Sequence, residues 1–136
     1  MAPSRSDPKY SNDNPTINDV YILGKEIMNR ADRRLGKLTI GGPEDRRLRS
    51  FFGAGVEVIL EGWHRMKDQQ LIPEGALFVH YLWALMFMKI HSTEGAMCGH
   101  AGGVDPKTFR KWVWPMIRAI ADLEYTVVSN ISYANP

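Results

Sequence analysis

Apolar residues recur along most of this chain at intervals of three and four, the spacing that places them on one face of an α-helix. From residue 17 to residue 38, Val20, Leu23, Ile27, Ala31 and Leu35 follow that rhythm, with Lys25, Arg30, Arg33, Arg34 and Lys37 on the other side. This predicts a first helix, closed by the break at Gly41 and Gly42. Pro43 suits the first position of a second helix, because its fixed φ is helical and its missing N–H would have no intrahelical partner there. Glu44 and Asp45 then face the positive end of the helix dipole.

The second helix aligns Leu48, Phe51 and Phe52 and is predicted to stop at Gly53, Ala54 and Gly55. Val56, Ile59, Leu60 and Trp63 start a new helical stripe immediately afterwards, so the pattern reads helix, tight turn, helix. Beyond Pro73, residues 76–90 are apolar on nearly every side, as expected of a central buried helix. Ser92 or Thr93 is placed to cap a short helix over residues 94–99, and Gly102 and Gly103 provide the turn that follows. Asp105 and Pro106 form a strong start signal, a capping carboxylate followed by proline at the first helical position. Pro115 interrupts the hydrogen bonding of that last helix at the Lys111 carbonyl, at a cost of roughly 3 kcal/mol unless the helix kinks or splits.

These elements predict an all-α fold, a small multi-helix bundle containing one or two helix-turn-helix units. A faint echo at an offset of 49 residues pairs Gly53 with Gly102, Leu60 with Phe109 and Trp63 with Trp112, as two similar units or a chance likeness of pattern would. The expected organisation is a flexible polar tail over residues 1–16, a helical domain over 17–128 and a C-terminal tail or truncated linker over 129–136.

Composition narrows the function classes. A chain of 136 residues with 44% apolar content suffices for one modest core. The formal charge of +2 is far from that of a protein whose whole surface binds nucleic acid, so an anionic partner must meet a local patch. Cys98 is the only cysteine, which excludes an internal disulfide and reads most simply as a small core residue. The N-terminal residues lack a signal-peptide apolar stretch and later apolar runs are too short to span a bilayer, so the expected chain is soluble, intracellular and without a membrane.

The helix after Asp105 carries the main candidate chemistry. At about 100° per residue, Phe109, Trp112, Val113, Met116, Ile117 and Ile120 share one side. The opposite side gathers Lys107, Arg110, Lys111, Trp114 and, if the helix passes through Pro115, Arg118, with no acid among them. Such a face is either an ordinary solvated surface or a ridge for major-groove docking, with N-terminal residues near base edges and cations beside phosphates. The earlier unit presents Glu57, Glu61 and Asp68 with His64, which would repel phosphates, and suits a structural or protein-contact role. Arg46, Arg47 and Arg49, with Arg30, Arg33 and Arg34, are either solvated cations or a second phosphate surface.

Catalytic and metal patterns are weak. His91, Cys98 and His100 lack a second cysteine or a helical histidine pair at metal spacing. No nucleophile elbow, GxGxxG or Walker loop is present, so neither cofactor nor metal is expected.

Two segments, LRSFFGAGVEVILEGW and LIPEGALFVHYLWALMFMKIHSTEGAMCGHAGGVDPKTFRKWVWPMIRAIADLE, resemble the N-terminal region of Harbinger-type DDE transposases, in the branch with a GGVDPKTFRKWVWP-like signature. The resemblance covers roughly residues 44–124. It implies a helix-turn-helix preceding an RNase H-like nuclease domain, with Lys107, Thr108, Arg110 and Lys111 on the DNA-facing helix. The sequence stops about where that nuclease would begin, so the expectation is a truncated or domesticated DNA-binding remnant without catalysis. The implied partner is double-stranded DNA, including transposon ends, in the nucleus. A helical protein-interaction module, including one that self-associates, is the alternative.

Overall fold

The computed structural model describes residues 14–29, 42–90 and 92–134. Among them are six helices: α1 (Ile17–Asn29), α2 (Pro43–Phe52), α3 (Val56–Asp68), α4 (Phe78–Ile90), α5 (Glu94–His100) and α6 (Pro106–Ala134). No strand occurs among the described residues, and the molecule is an all-helical bundle. The expected extension of α1 to residue 38, with Ala31, Leu35, Arg30, Arg33, Arg34 and Lys37, lies outside the described residues, as do residues 1–13 and His91.

Local chemistry sets the helix ends. Thr16, assigned by composition to a polar tail, instead caps α1. Its hydroxyl accepts from the Asp19 N–H at 3.2 Å, while Asp19 Oδ2 accepts from the Thr16 N–H at 2.8 Å. Pro43 is the first residue of α2 behind an extended Gly42, and Gly53 ends that helix at φ 84° with its N–H on the Arg49 carbonyl. Among the two capping candidates for α5, Thr93 does so, accepting from the Ala96 N–H at 3.2 Å.

The end of α5 is a Schellman turn. The Gly103 N–H reaches back to the Cys98 carbonyl at 2.9 Å and the Gly102 N–H to the Gly99 carbonyl at 3.2 Å. Gly102 has φ 102° and Gly103 φ 79°, a backbone path that any side chain would strain. α3 ends with the same bonding pattern, but Gln70 occupies the left-handed position at φ 57°.

The core joins the helices into one body. α4 packs against α2 and α6, while α3 packs against α1 and α6. Val20, Leu23 and Ile27 of α1, Leu48 and Phe52 of α2, and Val56, Ile59 and Trp63 of α3 are buried as their spacing predicts. α4 supplies Phe78, Tyr81, Leu82, Trp83, Ala84 and Met86, and α6 supplies Phe109, Val113, Met116 and Ile120.

Two boundaries differ from expectation. α4 starts at Phe78 rather than at residue 76, because the Ala76 N–H turns back to the Pro73 carbonyl and the Leu77 N–H donates to His80 Nδ1 at 2.9 Å. Residues 129–134, expected in a tail or linker, continue α6. Pro115 lies inside α6 without ending it. Pro115 has no N–H to offer the Lys111 carbonyl, and both residues lie on the exposed side of the helix.

Candidate nucleic-acid interface

The start of α6 is anchored by Asp105. Its Oδ1 accepts from the Thr108 N–H at 2.8 Å, and its carbonyl accepts from the Phe109 N–H at 3.0 Å. The buried Phe109, Val113 and Met116 then orient the helix on the core. Lys107, Arg110, Lys111, Trp114 and Arg118 are consequently exposed, while Thr108 is half-buried on the flank. Helical geometry puts Lys107, Trp114 and Arg118 within about 40° of each other around the axis, flanked by Arg110 and Lys111. α6 is helical through Pro115, which keeps Arg118 in line with the preceding turns.

These side chains are not equally free. Arg110 Nε donates to the Pro106 carbonyl at 3.2 Å and lies 3.5 Å from Glu94 Oε2. The ridge has no acid of its own from Lys107 to Arg118, but the fold brings in a carboxylate from α5. Sequence spacing within α6 could not reveal it.

Lys111 places its ammonium 5.0 Å from the centre of the Trp112 ring. Trp112 in turn stacks on His80, with ring centres 4.4 Å apart and planes 2° from parallel. Burial lowers the pKa of His80 to about 4, and its Nδ1 accepts the Leu77 N–H, an arrangement that requires the neutral ring. A rigid stack of helix α4 on α6 therefore underlies the ridge at Lys111. Trp114 meets Phe87 edge-on, at 5.6 Å and 68°, yet remains 53% exposed.

Two helices joined by a turn precede and include this ridge, but the connection between α5 and α6 runs over residues 101–105. α2 and α3 are joined by the tighter residues 53–55. On α3, Glu57, Glu61 and Asp68 are exposed and His64 is half-buried, and Glu61 pairs with Arg65 at 2.9 Å. With Ile17 and Leu60 they line an open groove between α1 and α3. Arg46 and Arg49 of α2 are exposed and Arg47 is half-buried; their proposed companions Arg30, Arg33 and Arg34 are outside the described residues.

Cys98 is buried, and that burial raises its thiol pKa, with Glu94 and Asp105 adding to the effect and Arg110 opposing it. His100 points elsewhere: its Nδ1 lies 3.3 Å from the Ile27 carbonyl and its ring meets Phe51 at 5.3 Å. Among the described residues, no three His, Cys, Asp or Glu side chains gather as metal ligands would. No helix among them is long and apolar enough to cross a membrane.

No protein-family model, curated protein or solved structure matches this chain.

Proposed function

We propose that this protein binds double-stranded DNA through the outer face of α6, acting by binding rather than by catalysis. The observation that carries the reading is the exposed, co-linear set Lys107, Arg110, Lys111 and Arg118 on a helix whose opposite face is buried in the core. A helix is narrow enough for the major groove, and side chains from its first turns lie nearest the base edges when it enters by that end. The Asp105 cap and the Schellman turn before it hold the first turn of α6 in a defined place, which limits the ordering cost on binding. The resemblance to the N-terminal region of Harbinger-type transposases extends the proposal to the terminal sequences of a mobile element, and to the nucleus as the place of action.

The test is titration of the whole chain with random and element-terminal duplexes by fluorescence anisotropy at two salt concentrations. Lys107→Ala, Arg110→Ala and Lys111→Ala together are expected to weaken binding while circular dichroism remains unchanged. On B-DNA, the magnitude of the salt slope falls by about 0.9 for each phosphate that the variant no longer neutralises. An unaltered affinity and slope in the folded triple variant sinks the reading.

A second reading, a helical protein-contact module, is favoured by the groove between α1 and α3. It combines exposed Ile17 with Leu60 and the carboxylates of Glu57, Glu61 and Asp68, and Val58 stands exposed on the same helix. Such a face suits a basic amphipathic segment of another protein or of a second copy. Nuclease-resistant capture of a partner that is abolished by Val58→Glu, with no duplex affinity in the free chain, would favour this reading over the first.

A further inference from the structure

The cations of α6 account for attraction to phosphates, but they leave its aromatic residue without a role. Trp114 is the one aromatic among the exposed large apolar side chains of the described residues up to Leu123. Of the other tryptophans, Trp63 and Trp83 are buried, and Trp112 has His80 stacked on its ring and the Lys111 ammonium near it. Trp114 is thus the indole that retains surface for a further planar group.

Its surroundings specify the chemistry of that group. Phe87 meets the indole edge-on from the core side and leaves about half of the residue exposed. Lys111 lies three residues before it and Arg118 four residues after it, both exposed on the same side of the helix. Arg110 and Lys107 continue the positive strip toward the helix start. A planar apolar ring flanked by cations along a line matches a nucleotide chain, whose bases have π-faces and whose phosphates recur at regular intervals.

A fully paired duplex does not offer those faces, since each base is stacked between its neighbours and shows only its edges in the grooves. Resting on the DNA-binding reading of α6, we propose that Trp114 is a stacking platform for an unpaired base. The ridge then favours DNA that carries an extrahelical or single-stranded position beside duplex. Cations on both sides of Trp114 hold the flanking phosphates while the base covers the indole. Among the described residues up to Leu123, the other exposed large apolar side chains, Ile17, Ile22, Val58 and Ile90, are aliphatic and offer no comparable ring.

The experiment compares a labelled intact duplex with the same duplex bearing one unpaired adenine, using the whole chain and anisotropy at fixed salt. The bulged DNA is expected to bind at least about fivefold tighter, the lower end of a base–aromatic stack. Trp114→Ala and Trp114→Leu should abolish that preference by weakening the bulged DNA at least about fivefold more than the intact duplex, whereas Trp114→Phe should keep part of it. Quenching of tryptophan emission by the bulged DNA should vanish in Trp114→Phe. Equal affinity of the parent chain for both duplexes overturns the stacking role while leaving the DNA reading intact, as does a weakening in Trp114→Ala that is the same for both. Absence of binding to either DNA overturns both proposals.

Discussion

Arg110 Nε lies 3.5 Å from Glu94 Oε2, so a residue on the short helix α5 partly neutralises one member of the basic ridge on α6. Both side chains are substantially solvated, and an ion pair of this kind contributes only about 0.2–1 kcal/mol to stability. Its greater effect is on the field that an approaching polyanion meets.

Glu94→Gln should therefore change the melting temperature little and increase duplex affinity by a few fold at low salt, an effect that shrinks as salt is added. Anisotropy titrations of the variant over a salt series would check this. Unchanged affinity at low salt would show that Arg110 is not part of the binding face.

The His80–Trp112 stack gives the fold an acid sensitivity. With its folded pKa lowered by burial to about 4, below the unfolded value, His80 stays neutral in the native state down to more acidic pH than it does in the unfolded chain. Its contribution to stability is complete above pH about 6.5 and declines as pH falls toward about 4, because the unfolded chain takes up the proton first. The expected loss is of the order of 2 kcal/mol by pH about 4.5. Chemical denaturation across this range should show it, and His80→Leu, although destabilised at neutral pH, should flatten that part of the profile.

Gly62 of α3 makes room for the side chain of Tyr81 from α4. The Tyr81 hydroxyl donates to the Ile59 carbonyl at 3.0 Å, and a Cβ added at Gly62 would stand 2.5 Å from that hydroxyl oxygen. Gly62→Ala should destabilise by about 1–3 kcal/mol despite alanine's better helix propensity, and Tyr81→Phe should cost about 1 kcal/mol. The double variant should be more stable than the sum of the single losses predicts, because removing the hydroxyl also removes the clash. Additive losses would contradict this account.

Gln70 occupies the left-handed position at the end of α3, where an L side chain is strained. Gln70→Gly should raise stability by about 0.5–1 kcal/mol, measured by denaturant unfolding, with no change in DNA affinity.

Local chemistry made much of this molecule legible in the sequence. The spacing of Val56, Ile59 and Trp63, the proline at position 43, the glycine at 53 and the Asp105–Pro106 pair each act within a turn or two of chain. Their helices and ends follow from hydrogen bonding and steric rules that need no distant partner. The same periodicity separates the buried Phe109, Val113 and Met116 from the exposed Lys107, Lys111 and Trp114, so the candidate face was identifiable from the helical period alone. That Thr16 caps α1 was also within reach, since Asp19 stands three residues later, but a polar and proline-bearing context obscured it.

Packing across the chain decided the rest. Glu94 is remote from Arg110 in the helical pattern and meets it only because α5 folds back on α6. His80 lies in an apolar run that gives no hint of the Trp112 ring stacked on it, and Tyr81 gives no hint of the Ile59 carbonyl it reaches. The sequence by itself determined an all-helical chain, the principal turns, and which side of α6 turns outward, because these depend on short-range hydrogen bonds and on the 3.6-residue period. Only the tertiary structure decided how much of each outward charge is available, which rings stack and where a glycine makes room for a side chain from another helix. Those properties arise from residues far apart in sequence that share one small volume, where geometry sets the energy of every contact.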